Sequence, residues 1–327
     1  MLRILHDTKY DFIGAWKAAV IGTVLWILIG FGGMLYHGGA HWSTEFTGGT
    51  LIQLQFEQPT EIARIRQAVE QASFQGAEIQ QFGSSRDFTV KAPPREGDTS
   101  GETTAKQVEG ALAKTFGAGM KVVRSEFVGP KVGDELTRNA VIAILISFLV
   151  TLVYLAFRFE WRFGLAAILS SLHDILATFA FIGLFRVEIS LTVVAAILTV
   201  LGYSMNDTII IFDRVRENLR KQRKEGFREI LNRSINETLP RSVLTHVTTA
   251  GATIALLIFG GEVIRPFAMV MTFGIVMGTF SSIYVAGILL LWIETRWPRK
   301  DAEKGTARAL AAEKRRAAEP RQPATTR

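Results

Sequence analysis

Six apolar blocks fix what this chain can fold into. They run at about Ala18–Tyr36, Asn139–Phe157, Phe163–Phe185, Glu188–Ile211, Val243–Phe259 and Phe267–Ile293. Each is close to the ~20 residues that a helix needs to cross ~30 Å of hydrocarbon. Inside a bilayer no water satisfies backbone N–H and C=O groups, so a spanning segment is a helix or part of a closed barrel. The alternating pattern of barrel strands is absent, and the sequence predicts six transmembrane helices. The first block has a longer apolar core than a signal peptide and no clear small-residue cleavage site after it, so it is read as an uncleaved first span. The same blocks exclude a soluble enzyme, a coiled coil or a disordered chain as whole-chain readings. With no cysteine among its 327 residues, the chain offers no disulfide scaffold, thiol chemistry or Cys-ligated zinc or iron–sulfur centre.

The net charge of +7 looks like a nucleic-acid signal until it is located along the chain. Arg3, Lys9 and Lys17 precede the first span, and Arg158 and Arg162 lie between the second and third. Nine basic residues from Arg214 to Arg241 separate the fourth span from the fifth, and ten follow the sixth, from Arg296 to Arg327. The alternate connections carry only Arg186 and Arg265 in their short loops. By the positive-inside rule both termini are cytoplasmic, and the segment 37–137 is extracytoplasmic. That segment holds 10 basic and 13 acidic residues. The basic charge is therefore topological, and no nucleic-acid partner is implied; the bilayer is the expected surroundings. The expected division is a cytoplasmic N-terminus at 1–17, a first span at 18–36, an outer domain at 37–137, and spans two to six over 138–293. A basic cytoplasmic connection at 212–242 interrupts the last group, and a basic, disordered tail follows at 294–327.

Within the outer segment, Leu51–Phe56 alternates apolar and polar residues like a half-buried strand. Thr60 is placed to cap a helix over Glu61–Phe74, and Ala77–Phe82 and Asp87–Lys91 read as strands about a turn at Gly83–Ser85. A Pro- and Gly-containing loop at Pro93–Gly101, a helix at Thr103–Phe116 and a strand at Met120–Phe127 complete a β-α-β-β-α-β order, the ferredoxin-like α+β arrangement. His37 and His41 lack a third ligand at a metal-like spacing, and no phosphate-binding or zinc-protease motif occurs. This segment reads as a binding or structural module.

Ionisable groups at membrane depth cost at least ~2.5–3.5 kcal/mol, which makes them functional candidates. Asp174, after His173, lies near the middle of the third span, with Ser170, Ser171 and Thr178 on its face. Asp207 lies in the fourth span beside Asn206, with Tyr203 and Ser204 one turn earlier. Arg241 opens the fifth span, and Thr245, Thr248 and Thr249 continue its face. Each has a plainer reading. Asp174 suits an interhelical hydrogen bond, Arg241 a snorkelling flank, and His173 simple packing. Gly274, Gly278 and Ser282 form a small-residue packing face on the last span.

The stretch GYSMNDTIIIFDRVREN (Gly202–Asn218) resembles the signature of the SecF family, membrane subunits of the bacterial SecD–SecF export complex. The resemblance continues in EFTGGT (Glu45–Thr50), FVGPKVGDEL (Phe127–Leu136), LHD (Leu172–Asp174), TLPRSVLT (Thr238–Thr245) and SSIYVAG (Ser281–Gly287). It covers about residues 10–293; Glu45 stands where the family usually has Asp. The resemblance implies half of an RND-like membrane fold in the bacterial plasma membrane and a SecD partner. It also implies use of the proton-motive force to help preproteins leave the SecYEG channel on the periplasmic side. It places Asp207 and Arg241, and with less weight Asp174, in an ion pathway, supported by Tyr203, Ser204, Asn206 and His173. It implies no catalysis, metal or cofactor; a proton or sodium gradient is the energy source. Three rival readings are an exporter of lipids or small molecules, a passive scaffold for the translocon, and an intramembrane aspartyl protease. The last would pair Asp174 with Asp207, but lacks the G-x-G-D and Tyr-Asp surroundings of such enzymes.

Overall fold

The computed structural model describes residues 8–72, 74, 77–93, 102–221 and 225–298. The chain enters through α1 (Trp16–Tyr36), whose apolar residues mostly point outward. A single helical turn, α2 (Thr44–Thr47), leads into β1 (Gly49–Phe56) through Gly48 and Gly49, both with positive φ (72° and 121°). A side chain at Gly49 would lie 2.5 Å from the Ala92 carbonyl, so only glycine passes here without strain. Next come α3 (Ile62–Gln71), β2 (Glu78–Gln81), β3 (Asp87–Ala92), α4 (Glu102–Phe116) and β4 (Met120–Val128). The four strands form one antiparallel sheet in the order β2-β3-β1-β4. Ile52, Leu54, Phe88 and Val90 from the sheet meet Ile65, Val69, Val108 and Leu112 from the two helices in one dry core. Thr60 is not the cap of α3. Its hydroxyl turns back to the Gln58 carbonyl, and Glu61 takes the cap position without a side-chain bond.

The chain then returns to the membrane in α5 (Pro130–Arg158), followed by α6 (Trp161–Leu184), α7 (Leu191–Lys221) and α8 (Phe227–Phe259). The final span joins α9 (Gly261–Phe280), a π-helical segment (Ser281–Ala286) and α10 (Gly287–Arg296). Among the described residues, six helices are thus long and apolar enough to cross a membrane. The basic connection at 212–242 is built largely of helix, because the apolar pattern ends well before the helical hydrogen bonding does. Arg214 there bridges Glu217 and Glu237, and Asn218 bonds Ser234 and Glu237, so the two helix extensions are tied together. The loop at 94–101 and the tail beyond 298 lie outside the described residues.

The spans divide by burial. About half of α6, α7 and the final span is enclosed, whereas α1, α5 and α8 expose most of their apolar surface. In α5 only Gly133 and Leu155 are buried. The small face of the final span packs inside this chain: Gly274 sits against Val200, and Gly278 against Ser204 of α7. It is therefore not free for a partner.

The extramembrane domain is stitched to the connection between α6 and α7. Ile189 donates to the His41 carbonyl (2.7 Å) and accepts from Ser43 N–H (2.9 Å). Lys91 of β3 forms an ion pair with Glu188. The Glu45 carboxylate accepts the first backbone N–H of α7, that of Leu191, at 2.6 Å, where the helix dipole favours a negative charge. His41 also pairs with Glu78 at 3.0 Å. Burial pushes the Glu78 carboxyl up, but His41, with Lys91 and Arg186, outweighs it and holds the group below its ordinary value.

Candidate functional site

Two carboxylates lie buried among the enclosed spans: Asp174 on α6 and Asp207 on α7, only 2% and 3% exposed. Neither takes its hydrogen bonds from the neighbours that helical spacing suggests. Ser171 bonds the Ala167 carbonyl and Met205 Sδ, Ser170 Oγ has no hydrogen-bond partner among the described residues, and Thr178 turns back to the Asp174 main-chain carbonyl. The Asp174 carboxylate instead accepts from Ser204 Oγ of α7 and Ser281 Oγ of the final span (2.8 Å) and meets His173 Nδ1 (3.0 Å). His173 Nε2 reaches Thr23 Oγ1 of α1. A single line of contacts thus runs from the first span through the third to the fourth and sixth.

Asp207 is held differently. Ser242 Oγ of α8 donates to its Oδ1 and Ser282 Oγ of the final span to its Oδ2, each at 2.5 Å. Ser281 and Ser282 are adjacent in sequence, yet they serve two different carboxylates. Consecutive residues of an α-helix point ~100° apart; the π-helical segment that begins at Ser281 sets the register in which both face inward. No hydrogen bond joins the two carboxylates among the described residues. Hydroxyl partners suit a titrating group, because a serine hydroxyl donates to a carboxylate and accepts from a carboxylic acid after a simple rotation.

The other expected residues are placed as follows. Ser204 serves Asp174 rather than Asp207. Tyr203 crosses to α8, its hydroxyl 3.0 Å from both the Thr245 carbonyl and Thr249 Oγ1. Asn206 is exposed on the outer face of α7. Arg241 is also exposed, and among the described residues no hydrogen bond or ion pair links its guanidinium to Asp207. Its neighbour Ser242 is the residue that faces the carboxylate. Sequence reasoning missed Ser242, Ser281, Ser282 and Thr23. The available signal was that Ser242 and Ser282 sit inside the TLPRSVLT and SSIYVAG stretches.

The comparisons with known proteins agree with this architecture. Residues 107–296 match the family described as "Protein export membrane protein SecD/SecF, C-terminal", and residues 35–60 match the SecD/SecF GG motif. The chain is 59% identical over 318 residues to the protein translocase subunit SecF of Gemmatimonas aurantiaca, covering 95% of each. It is 40% identical over 289 residues to SecF of Escherichia coli O157:H7, covering 88% of each. It also resembles the crystal structure of SecDF from Thermus thermophilus, a translocon-associated membrane protein, with a TM-score of 0.80 and 37% identity. That likeness covers 90% of this chain and 40% of the SecDF chain, so this chain spans less than half of that structure. With a family model over more than half its length and relatives this similar end to end, the chain belongs to the SecF family of protein translocase subunits.

Proposed function

We propose that this chain, paired with SecD, passes protons through its membrane domain and uses them to assist preproteins leaving the SecYEG channel. The observation that carries the reading is Asp207, a buried carboxylate whose two oxygens are each held by a serine from a different span. A proton gained or lost there changes the charge at the point where α7, α8 and the final span meet. The same α7 begins on Glu45, so a shift of that helix is felt at the foot of the extramembrane domain. That domain is, in this reading, a ferredoxin-like periplasmic module, supported by its β-α-β-β-α-β order and β4-β1-β3-β2 antiparallel sheet. Arg241, exposed in this structure, is the cation that approaches Asp207 in another state, and Asp174 is the second, supporting carboxylate. Separate carboxylate sites favour ion transfer over peptide hydrolysis, and the chain acts with no cofactor.

Vesicles carrying this chain, SecD and the translocon test the reading. Preprotein release is expected to be stimulated by a proton gradient and to lose that stimulation when a protonophore collapses the gradient. Stimulation that survives the protonophore and follows a sodium gradient would overturn proton coupling.

Orientation is tested separately. The chain has no native cysteine, so single-cysteine variants label cleanly. Ser85→Cys, in the extramembrane domain, is expected to react with an impermeant maleimide in osmotically opened cells with an intact inner membrane. Arg220→Cys, at the end of α7, should react only after that membrane is broken. The reverse pattern would invert the topology.

A further inference from the structure

Ser242, the serine that holds Asp207, also contacts a histidine. His246, on α8, is 6% exposed. Its Nδ1 lies 2.5 Å from the main-chain carbonyl of Ser242. A carbonyl oxygen only accepts, so Nδ1 carries the hydrogen and Nε2 is left with a lone pair. That Nε2 is buried and has no hydrogen-bond partner among the described residues. The ring stands edge-on to Tyr203, with centroids 5.2 Å apart at 87°. Ser242 therefore joins two ionisable residues: its hydroxyl donates to Asp207, and its carbonyl accepts from His246.

Direction along the helix gives this pair an order. His246 lies four residues beyond Ser242, about 6 Å toward the end of α8 that faces the extramembrane domain. Arg241 lies on the opposite, basic-connection side of Ser242. Tyr203 of α7 is the ionisable residue that stands against the His246 ring, and Asp207, one turn further along α7, is reached through Ser242. Of the final span's hydroxyls, Thr272 bonds Thr253 of α8 and Ser282 bonds Asp207 of α7. Glu294, further along that span, pairs with Arg162.

We propose that His246 is a second proton-binding station of the pathway, reached before Asp207 by protons entering from the side of the extramembrane domain. The inference rests on Asp207 being the proton carrier. Nε2 takes a proton and the ring becomes imidazolium, while Nδ1–H stays on the Ser242 carbonyl. When the proton passes to the Asp207 carboxylate, a neutral imidazole and a carboxylic acid result. One of the two serine hydroxyls then rotates to accept from the acid's single O–H, while the other still donates to the remaining carbonyl oxygen. Loading thus needs no rearrangement of the main chain.

The test is the pH profile of gradient-driven preprotein release in vesicles, varied on the side of the extramembrane domain. His246→Gln is expected to match the unsubstituted chain at pH 5.5, where protons are abundant, and to fall at least about tenfold below it at pH 7.5. A buried packing residue would lower activity equally at all pH values. Superimposable or parallel profiles would overturn the proposal. Asp207→Asn, run alongside, separates the two readings: if it is inactive at every pH while the His246→Gln profile is unchanged, only the inference about His246 falls. Should His246→Gln fail to fold, 15N NMR of the ring-labelled, unsubstituted chain gives the answer. An Nε2 resonance that protonates between pH 5 and 8 supports the station, and one that does not titrate there overturns it.

Discussion

Asp207→Asn is expected to abolish gradient-dependent stimulation of export while leaving the chain inserted and bound to SecD. The substitution preserves shape. The asparagine oxygen accepts from one serine, and its amide donates to the other once that hydroxyl rotates, so both contacts with Ser242 and Ser282 survive. Only the capacity to exchange a proton is removed. A carrier must bind protons with different affinity in its two states, and ~100 mV supplies ~2.3 kcal/mol per proton, enough for a tenfold to hundredfold difference. An amide has nothing to contribute to that cycle. Asp207→Glu keeps a carboxylate and should retain part of the activity. Arg241→Lys, which keeps a charge but loses the planar fork of donors, should also lose only part. The measurement is preprotein release from vesicles with and without a proton gradient. A stable Asp207→Asn chain with full gradient-dependent stimulation would remove Asp207 as the essential carrier.

Gly30→Val should be the most damaging single change to the assembly of the membrane domain. A Cβ at Gly30 would fall 2.5 Å from the carbonyl oxygen and 2.6 Å from the Cα of Ala180, atoms of the α6 backbone that no rotamer change can move. Helix α1 would be pushed away from α6, taking Thr23 from His173 and Trp26 Nε1 from the Ala177 carbonyl. Overpacking costs about 1–3 kcal/mol where side chains can yield, and here they cannot, so the upper end or more is expected. Gly32→Val is the control. It lies on the same helix with nothing within 4 Å of its would-be Cβ, and its thermal unfolding in detergent should match that of the unsubstituted chain. Equal stability of the two variants would show that α1 does not depend on this close approach.

What could be read in advance followed from how strongly physics constrains each feature. The spans were legible because hydrocarbon tolerates few alternatives, and the order of strands and helices between the first two spans followed from switches between two-residue and helical periodicity. Asp174 and Asp207 stood out because charges are costly at membrane depth. Their partners did not. Serines are common in transmembrane helices, and whether Ser242 or Arg241 faces Asp207 depends on the rotation of α8, which the residue pattern leaves open. The local neighbours Ser204 and Tyr203 pointed at Asp207 by spacing alone, but helix packing sent one to Asp174 and the other to Thr245 and Thr249. The π-helical segment has no pattern of its own in SSIYVAG, and the inward register of both serines could not be read without it.

That segment carries a kinematic consequence. Ser281 and Ser282 share one peptide bond, and through it Asp174 and Asp207, on separate spans, are fastened to a single point of the sixth. A sliding or twisting motion of that span displaces both hydroxyls together, while Ser204 and His173 still contact Asp174 and Ser242 still contacts Asp207. The two acids are thus attached in parallel to one backbone point. A displacement of the final span at this point acts on both sites at once, and Asp207 lies on the same helix, α7, whose head rests on Glu45 at the foot of the sheet domain.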